Sequence, residues 1–232
     1  FSIITSQQNH AQTRWQALKN YMRKILLTLI FILFINFINA QEYKTYHQNG
    51  KLEKIGQYKN RKQVGEWKLY HENGTLARVG NYIDGKQTGE WKVYHKTGKL
   101  QKVGKYENGK QIALWKIYHE NGKLRGIGKY KNGKQAGEWK YYNVSGKLVA
   151  IGELESGVQT GEWKFYHENE KLLSIGKYVN GKQTGQFKYY HENGKLSSIG
   201  EKYYGKKTGE WKKYDESGQL IKTETYINGK KQ

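Results

Sequence analysis

The sequence predicts an all-β protein, an elongated single-layer antiparallel meander of tandem β-hairpins. Two observations predict this fold. Residues 41–232 repeat with a period of 24 residues, and turn dipeptides such as Asn-Gly or Asp-Gly punctuate each half-repeat between runs rich in Tyr, Trp, Ile and Val. The 28 Gly and absent Pro fit recurring turns rather than helices. The absence of Cys excludes disulfides, thiolate metal sites and cysteine nucleophiles.

A short apolar run precedes the repeats. Residues 25–38 are apolar except for two side chains, but 14 residues are too few for a bilayer span, which needs about 20. A basic pair precedes the run and Ala40 follows it, so we expect residues 22–40 to be a secretory signal peptide cleaved after Ala40. An uncleaved anchor or a buried core helix are the alternatives. Residues 1–21 form an upstream leader with no assignable role, and the protein is expected in the periplasm, at the cell surface or outside the cell.

Three columns carry the 24-residue repeat. Tyr46 to Tyr214 form one column without exception, and Leu52 to Leu220 form a second. The third holds large rings, each followed by Lys: Trp67, Trp91, Trp115, Trp139, Trp163, Phe187 and Trp211. Eight such units predict a repeat array in which each unit contacts mainly its neighbours.

The turn dipeptides predict the strand register. If Asn73 and Gly74 form a two-residue type I′ turn, counting outward places Trp67 opposite Gly80, and the same count places each ring from Trp91 to Phe187 opposite a glycine. A ring that lies over glycine covers backbone that lacks a side chain. We therefore expect the ring of Trp67 to cover Gly80.

Alternation along the strands predicts two different faces. The first, here called the tryptophan face, is predicted to hold Trp67, Leu69, Leu76 and Tyr82. The second, called the lysine face, is predicted to hold Glu66, Lys68, Tyr70 and Val79. Residues 41–232 contain 30 Ile, Leu and Val beside 27 aromatic residues, too few aliphatic residues for a thick two-layer core. We expect one twisted sheet about 75 Å long, at about 4.8 Å per strand, unless it curls or is covered by a partner.

These residues carry a resemblance to a known family. Gly-Glu-Trp-Lys-Leu-Tyr-His-Glu-Asn-Gly-Thr-Leu (65–76), Gly-Asn-Tyr (80–82) and Asp-Gly-Lys (84–86) resemble the MORN-repeat variant of bacterial YwqK-like proteins, and the resemblance covers 41–232. It implies antiparallel hairpin repeats and a non-catalytic binding or scaffolding role. Some members are described as antitoxins or immunity partners, and MORN repeats have been linked with membranes and protein partners. The family supplies no catalytic residues.

Two polar columns contain residue types that could form a metal site or a catalytic site. One is a histidine column at the turn entries, made of His47, His71, His95, His119, His167 and His191. Equivalent atoms two strands apart are about 10 Å from each other, whereas zinc ligands lie about 2 Å from one ion. The other column holds Glu66, Glu90, Glu138, Glu162 and Glu210. A catalytic carboxylate pair needs two different environments, which a repeated column does not provide. We expect structural histidines, solvated glutamates, no enzyme activity, no cofactor or metal, and no small-molecule substrate.

The lysines and one irregular repeat hold the candidate partner-binding residues. The net charge is +21, and lysine and tyrosine columns on one face can hold an anionic polymer or lipid head groups. The alternative is that Lys keeps a ring-rich sheet soluble and protects its edges. In the fourth repeat, Ile112 and Leu114 replace the usual Thr and Glu and create an apolar patch. The candidates are Lys92, Lys116, Lys140, Tyr94, Tyr118, Tyr142, Ile112 and Leu114.

These observations favour an exported, non-enzymatic repeat protein that binds or scaffolds a macromolecule, with a protein as the favoured partner. One alternative is a YwqK-like antitoxin or immunity protein that neutralises a cognate toxin. A second is a protein that binds an anionic polymer or a membrane surface through its lysine and tyrosine columns. An enzyme of unknown type is the least favoured.

Overall fold

The computed structural model describes residues 14–28 and 40–232. Residues 14–28 form a helix that is exposed along its whole length. Among the described residues, no helix combines the length and the hydropathy that a membrane crossing requires. Most of the predicted signal peptide, residues 22–40, lies outside the described residues, so its cleavage stays a prediction.

Residues after 40 form one 17-stranded sheet in which each strand pairs antiparallel with the next along the chain. The strands, in order, are β1 (Gln41–Tyr46), β2 (Leu52–Lys59), β3 (Lys62–Tyr70), β4 (Leu76–Ile83), β5 (Lys86–Tyr94), β6 (Leu100–Glu107), β7 (Lys110–Tyr118), β8 (Leu124–Lys131), β9 (Lys134–Tyr142), β10 (Leu148–Glu155), β11 (Val158–Tyr166), β12 (Leu172–Val179), β13 (Lys182–Tyr190), β14 (Leu196–Tyr203), β15 (Lys206–Tyr214), β16 (Leu220–Ile227) and β17 (Lys230–Lys231). The predicted single-layer hairpin meander is confirmed.

Two kinds of turn alternate along the meander. After β4, Asp84 and Gly85 both have positive φ, at 49° and 77°, as the predicted type I′ turn requires. After β3 the turn is longer. The Gly74 N–H donates to the His71 carbonyl at 2.8 Å, the His71 N–H donates to Thr75 at 2.8 Å, and only Gly74 has positive φ. The predicted two-residue turn is therefore wrong here, because a three-residue turn ends on a left-handed glycine.

A bulge after this turn restores the predicted register. Tyr70 pairs with Leu76, the register then shifts by one residue, and Leu69 pairs with Arg78. Directly opposed residues share a face, so Leu76 lies with Tyr70 on the lysine face. Its predicted place on the tryptophan face is wrong, because the bulge interrupts simple alternation.

The rings of the tryptophan column connect neighbouring hairpins. Trp67 pairs with Gly80 as predicted. Its ring, however, lies over Gly56 of the preceding hairpin, where an added Cβ would overlap the indole, and Gly80 lies under Trp91. The expectation that Trp67 covers Gly80 is therefore wrong. Because each ring covers the glycine on the strand before it, the column packs every hairpin onto its predecessor.

The core is a single row of these rings on the tryptophan face. Trp67, Trp115 and Trp139 have no exposed surface, and tyrosines pack edge-on against the row. The rings of Tyr82 and Trp91, for example, lie 5.1 Å apart at an interplanar angle of 88°. Edge-to-face contacts add to the free energy gained by burying large aromatic side chains. One sheet without a second layer can therefore bury a continuous core.

Candidate functional site

The histidine column joins consecutive turns through the backbone. The Nε2 of His71 lies 3.0 Å from the carbonyl oxygen of Tyr94, and the same contact recurs at the other five histidines. Since a carbonyl oxygen only accepts, Nε2 carries the proton. Beside it, Asn73 Nδ2 donates to the Lys96 carbonyl at 2.8 Å. The histidines therefore have the predicted structural role, and the described residues contain no cluster of three metal-ligating side chains.

Ion pairs along single strands neutralise much of the lysine face. The Nζ atom of Lys92 lies 3.2 Å from Glu90, and that of Lys140 lies 3.3 Å from Glu138. The corresponding distance at Lys68 is 2.9 Å, and hydrogen bonding to Glu66 raises the pKa of that lysine. The glutamates are solvated partners of Lys, but the expected ion pairing across strands, as between Glu90 and Lys105, is wrong. The partner lies two residues along the same strand rather than across to the next one.

An exposed apolar residue interrupts the glutamate column at one position in the middle of the sheet. Leu114 stands in the glutamate column, is 46% exposed, and pairs across the sheet with Lys129. Lys116, two residues along the strand, therefore lacks the carboxylate that Lys68, Lys92 and Lys140 contact. Within the described part of the chain, neither Lys116 nor Lys129 forms an ion pair. We call Ile112, Leu114, Lys116 and Lys129 the Leu114 patch.

The bulge beneath this patch keeps the left-handed backbone of the other repeats but differs in its residue and in one indole hydrogen bond. Ala113 has a φ of 57° at a bulge where most repeats have glycine. The indole N–H of Trp115 donates to the carbonyl of Ile112 at 3.2 Å, within its own strand. The equivalent Trp139 donates to Lys129 on the preceding strand. The patch therefore combines a change of side chains with a different acceptor for the indole N–H.

An open groove runs beside the patch and is lined by Leu114, Ile127, Lys129, Glu138 and Lys140. The patch thus combines one exposed apolar side chain with two lysines that lack a carboxylate partner. Such a surface is complementary to a partner that presents an apolar group next to carboxylates.

The other candidates lie on the same face but contribute differently. Lys92 and Lys140 are already held by glutamates. Tyr94, Tyr118 and Tyr142 are half-buried, and their carbonyls accept the histidine hydrogen bonds. Ile112 is half-buried and pairs with Lys105. Sequence reasoning missed Lys129, although the predicted register, which pairs Trp115 with Gly128, places Lys129 opposite Leu114.

Comparison with protein families explains the periodicity. Seven segments, which together span more than half of the chain, match the MORN repeat variant: 42–60, 63–84, 87–110, 112–132, 159–180, 183–201 and 207–228. The chain belongs to the MORN-repeat variant family. The break between residues 132 and 159 falls on β9 and β10, so this MORN-repeat array departs from the family pattern in the repeat that follows the Leu114 patch.

No curated protein matches the sequence of this MORN-repeat chain. Among solved structures, it is similar to the crystal structure of TcdB2-TccC3-TEV at 11% identity and a TM-score of 0.22, over 82% of this chain and 12% of that chain. The crystal structure of TcdB2-TccC3 gives 13% identity, a TM-score of 0.22, and coverage of 82% and 13%. The structure of the Photorhabdus luminescens Tc holotoxin pore gives 12% identity and a TM-score of 0.20, over 79% of this chain and 13% of that chain. The MORN-repeat chain spans only 12–13% of the length of those chains.

Proposed function

We propose that this MORN-repeat protein is an exported, non-enzymatic protein that binds or scaffolds a protein partner through the Leu114 patch on its lysine face. Export rests on the predicted signal peptide of residues 22–40. Binding rests on one observation: Leu114 is exposed where most other repeats carry a glutamate, and neither Lys116 nor Lys129 beside it forms an ion pair within the described residues.

An exposed apolar side chain beside lysines that form no ion pair favours a protein partner. A few partly desolvated apolar anchors usually dominate a protein interface. Leu114 offers such an anchor near the middle of the sheet, at a column position that most other repeats fill with a glutamate. The two lysines beside it would select a partner with carboxylates around its apolar contact, and would mainly increase the association rate.

A toxin is one specific form of this partner. The resemblance to YwqK-like proteins supports an antitoxin or immunity protein, in which the Leu114 patch would cover a surface of one cognate toxin. A gene for a toxin beside the gene for this protein would support that form. An anionic polymer or a membrane surface is favoured by the net charge of +21, but the glutamates that pair with Lys68, Lys92 and Lys140 reduce the charge that such a ligand would meet.

Affinity capture with a variant that restores the repeat pattern tests this proposal. The full chain and its Leu114→Glu variant would be immobilised and exposed to the proteins of the exported fraction. Glutamate is the usual residue in this column, so the variant should fold normally and pair with Lys116. We expect the variant to lose a partner that the parent retains, and we expect Ile221→Glu, at a 61% exposed position on β16, to retain it. Equal capture by all three proteins would contradict the proposal.

A further inference from the structure

The tryptophan face has two halves with different side chains. In the first half, aliphatic residues lie between basic ones: Leu69 between Lys54 and Arg78, and Val93 between Arg78 and Lys102. In the second half of the sheet, the column of aliphatic residues and the column of basic residues both change. The aliphatic column becomes Tyr141, Phe165 and Tyr189, and the basic column becomes Gly126, Ala150, Ser174 and Ser198.

Each of these three rings lies between two small residues. Tyr141 pairs with Gly126 and Ala150 on its two neighbouring strands. Phe165 pairs with Ala150 and Ser174 in the same way. Since Ala150 and Ser174 are each only 7% exposed, the rings cover them as the tryptophans cover glycine. We call Tyr141, Phe165 and Tyr189 the aromatic strip.

The strip continues the buried rings as a flat layer. Tyr141 is inclined by 25° to Trp139 and by 22° to Trp163, with ring centroids 5.8 and 6.2 Å away. Phe165 is inclined by 27° to Trp163. Because the tryptophan rings lie over glycines of the sheet, rings nearly parallel to them also lie flat on it. All three strip residues are only half-buried, so part of each side chain remains accessible to solvent.

Two half-buried lysines mark the ends of the strip. Lys102 lies over the ring of Trp115, with its Nζ atom 5.8 Å from the ring centroid. At the other end, Lys202 Nζ donates to the hydroxyl of Tyr189 at 2.8 Å. Burial lowers the pKa of both lysines. Between these two lysines, the tryptophan-face columns of the described sheet contain only neutral residues. Polar groups lie beside the rings: the Gln183 side chain, for example, donates to the Tyr178 hydroxyl at 2.9 Å.

We propose that the aromatic strip binds a neutral β-linked polysaccharide that runs across the strands, one ring contact to each repeat. This site lies on the opposite face from the Leu114 patch and goes beyond the function proposed above.

Ring geometry, spacing and charge all fit this class of ligand. The flat faces of Tyr141, Phe165 and Tyr189 can stack on the C–H faces of pyranose rings, and the glutamines and tyrosine hydroxyls beside them can hydrogen-bond to sugar hydroxyls. Equivalent rings two strands apart are separated by about 10 Å, which is close to the length of an extended β-1,4-linked disaccharide. A neutral strip does not attract an anionic polymer, whose affinity depends on cationic side chains.

Retention of the full chain on microcrystalline cellulose and on chitin beads tests this inference. We expect retention on at least one of the two that is unchanged between low and high salt. The decisive variant combines Tyr141→Leu, Phe165→Leu and Tyr189→Leu, because leucine reproduces the aliphatic residues of the first repeats and keeps apolar packing. We expect this variant to lose retention while its circular dichroism spectrum and melting temperature remain close to those of the parent.

A matched control removes three rings from the lysine face with Tyr118→Leu, Tyr142→Leu and Tyr166→Leu, and it should be retained like the parent. Three results would overturn the proposal: no retention of the parent on either polymer, equal retention of the strip variant, or release by salt. A dimer of the parent that becomes monomeric in the strip variant would also overturn it, since the strip would then be covered by a second copy.

Discussion

The ring of Trp139 lies on Gly128, although Gly128 has a tryptophan opposite it on both sides. Trp115 pairs with it from β7 and Trp139 from β9. Only Trp139 covers it, because every ring leans towards the preceding hairpin. Each interface between hairpins therefore depends on one ring and one glycine, and a side chain at that glycine should separate two neighbouring repeats.

We expect Gly128→Ala to lower stability, since an added Cβ would overlap the indole of Trp139. Overpacking of this kind costs about 1–3 kcal/mol. Gly126→Ala on the same strand is the matched control, because a Cβ there would meet its nearest atom, in Tyr141, at an ordinary 3.5 Å. Urea denaturation followed by tryptophan fluorescence measures both variants. Equal midpoints for the two would show that Trp139 does not depend on Gly128.

The strand register was predicted correctly even though the predicted turn type was wrong. A two-residue turn at Asn73 and Gly74 gives the same strand offset as the observed three-residue turn followed by a bulge, so Trp67 faces Gly80 either way. The face of Leu76 was not predictable, because it lies between the turn and the bulge. The direction of each ring could not be derived either, since Gly128 has an indole on both sides.

The candidate site was predictable in part. The break at Ile112 and Leu114 is visible in the columns, and the register places Lys129 opposite Leu114. The ion pairs that distinguish Lys116 from Lys92 depend on side-chain rotamers within one strand, which the columns do not reveal. The aromatic strip was missed because it emerges only when two columns on adjacent strands are compared together.

We expect Glu170→Gly to stabilise the array. Glu170 stands where the equivalent turns have glycine, and its φ of 65° is left-handed. That conformation costs a non-glycine residue about 1–2 kcal/mol, and part of this cost should be recovered. Glu168→Gly in the same turn, at a residue without positive φ, is the control and should not stabilise. Thermal melting compares them, and an unchanged or lower melting temperature for Glu170→Gly would contradict the prediction.

Glu224 should make the last hairpin sensitive to acid. Its carboxylate is buried and lies 3.1 Å from Lys213, 3.0 Å from Lys222 and 2.9 Å from Lys231, and the Tyr226 hydroxyl donates to it at 2.9 Å. Hydrogen bonds from Lys231, Lys222 and Lys213 hold the pKa of this carboxyl far below its usual range. A depressed pKa stabilises the fold at every pH above the unfolded value of about 4.3, and this stabilisation declines as the pH falls towards the folded value.

The variant Glu224→Gln removes this charge. We expect hydrogen exchange in β16 to be faster than in the parent at neutral pH, with a difference that shrinks as the pH is lowered below about 4. Glu216→Gln, in the preceding turn, lies outside the cluster and should leave exchange in β16 unchanged. A difference between Glu224→Gln and the parent that stays constant down to acidic pH would rule out the carboxylate as its cause.

Cleavage after Ala40 is expected if residues 22–40 are a signal peptide. Expression of the full chain in a secreting host, followed by intact mass measurement of the exported protein, should give a chain that begins at Gln41. A mass that still includes residues 25–38 would indicate an anchor, and the protein would then present its array from a membrane.

The effect of salt on partner binding separates the two main ligand classes. If the lysine face holds an anionic polymer, the logarithm of affinity should fall with the logarithm of salt concentration by about 0.7–0.9 per phosphate contacted, and combining Lys92→Gln, Lys116→Gln and Lys140→Gln should lower that slope. If the Leu114 patch anchors a protein, Leu114→Ala should cost about 2 kcal/mol or more and salt should act mainly on the association rate. We expect the second result.

We also expect Lys116→Gln to weaken binding more than Lys92→Gln, because Glu90 already contacts Lys92 whereas Leu114 leaves Lys116 available to the partner. Equal effects of the two lysines, together with a steep salt slope and no effect of Leu114→Ala, would assign the lysine face to an anionic polymer.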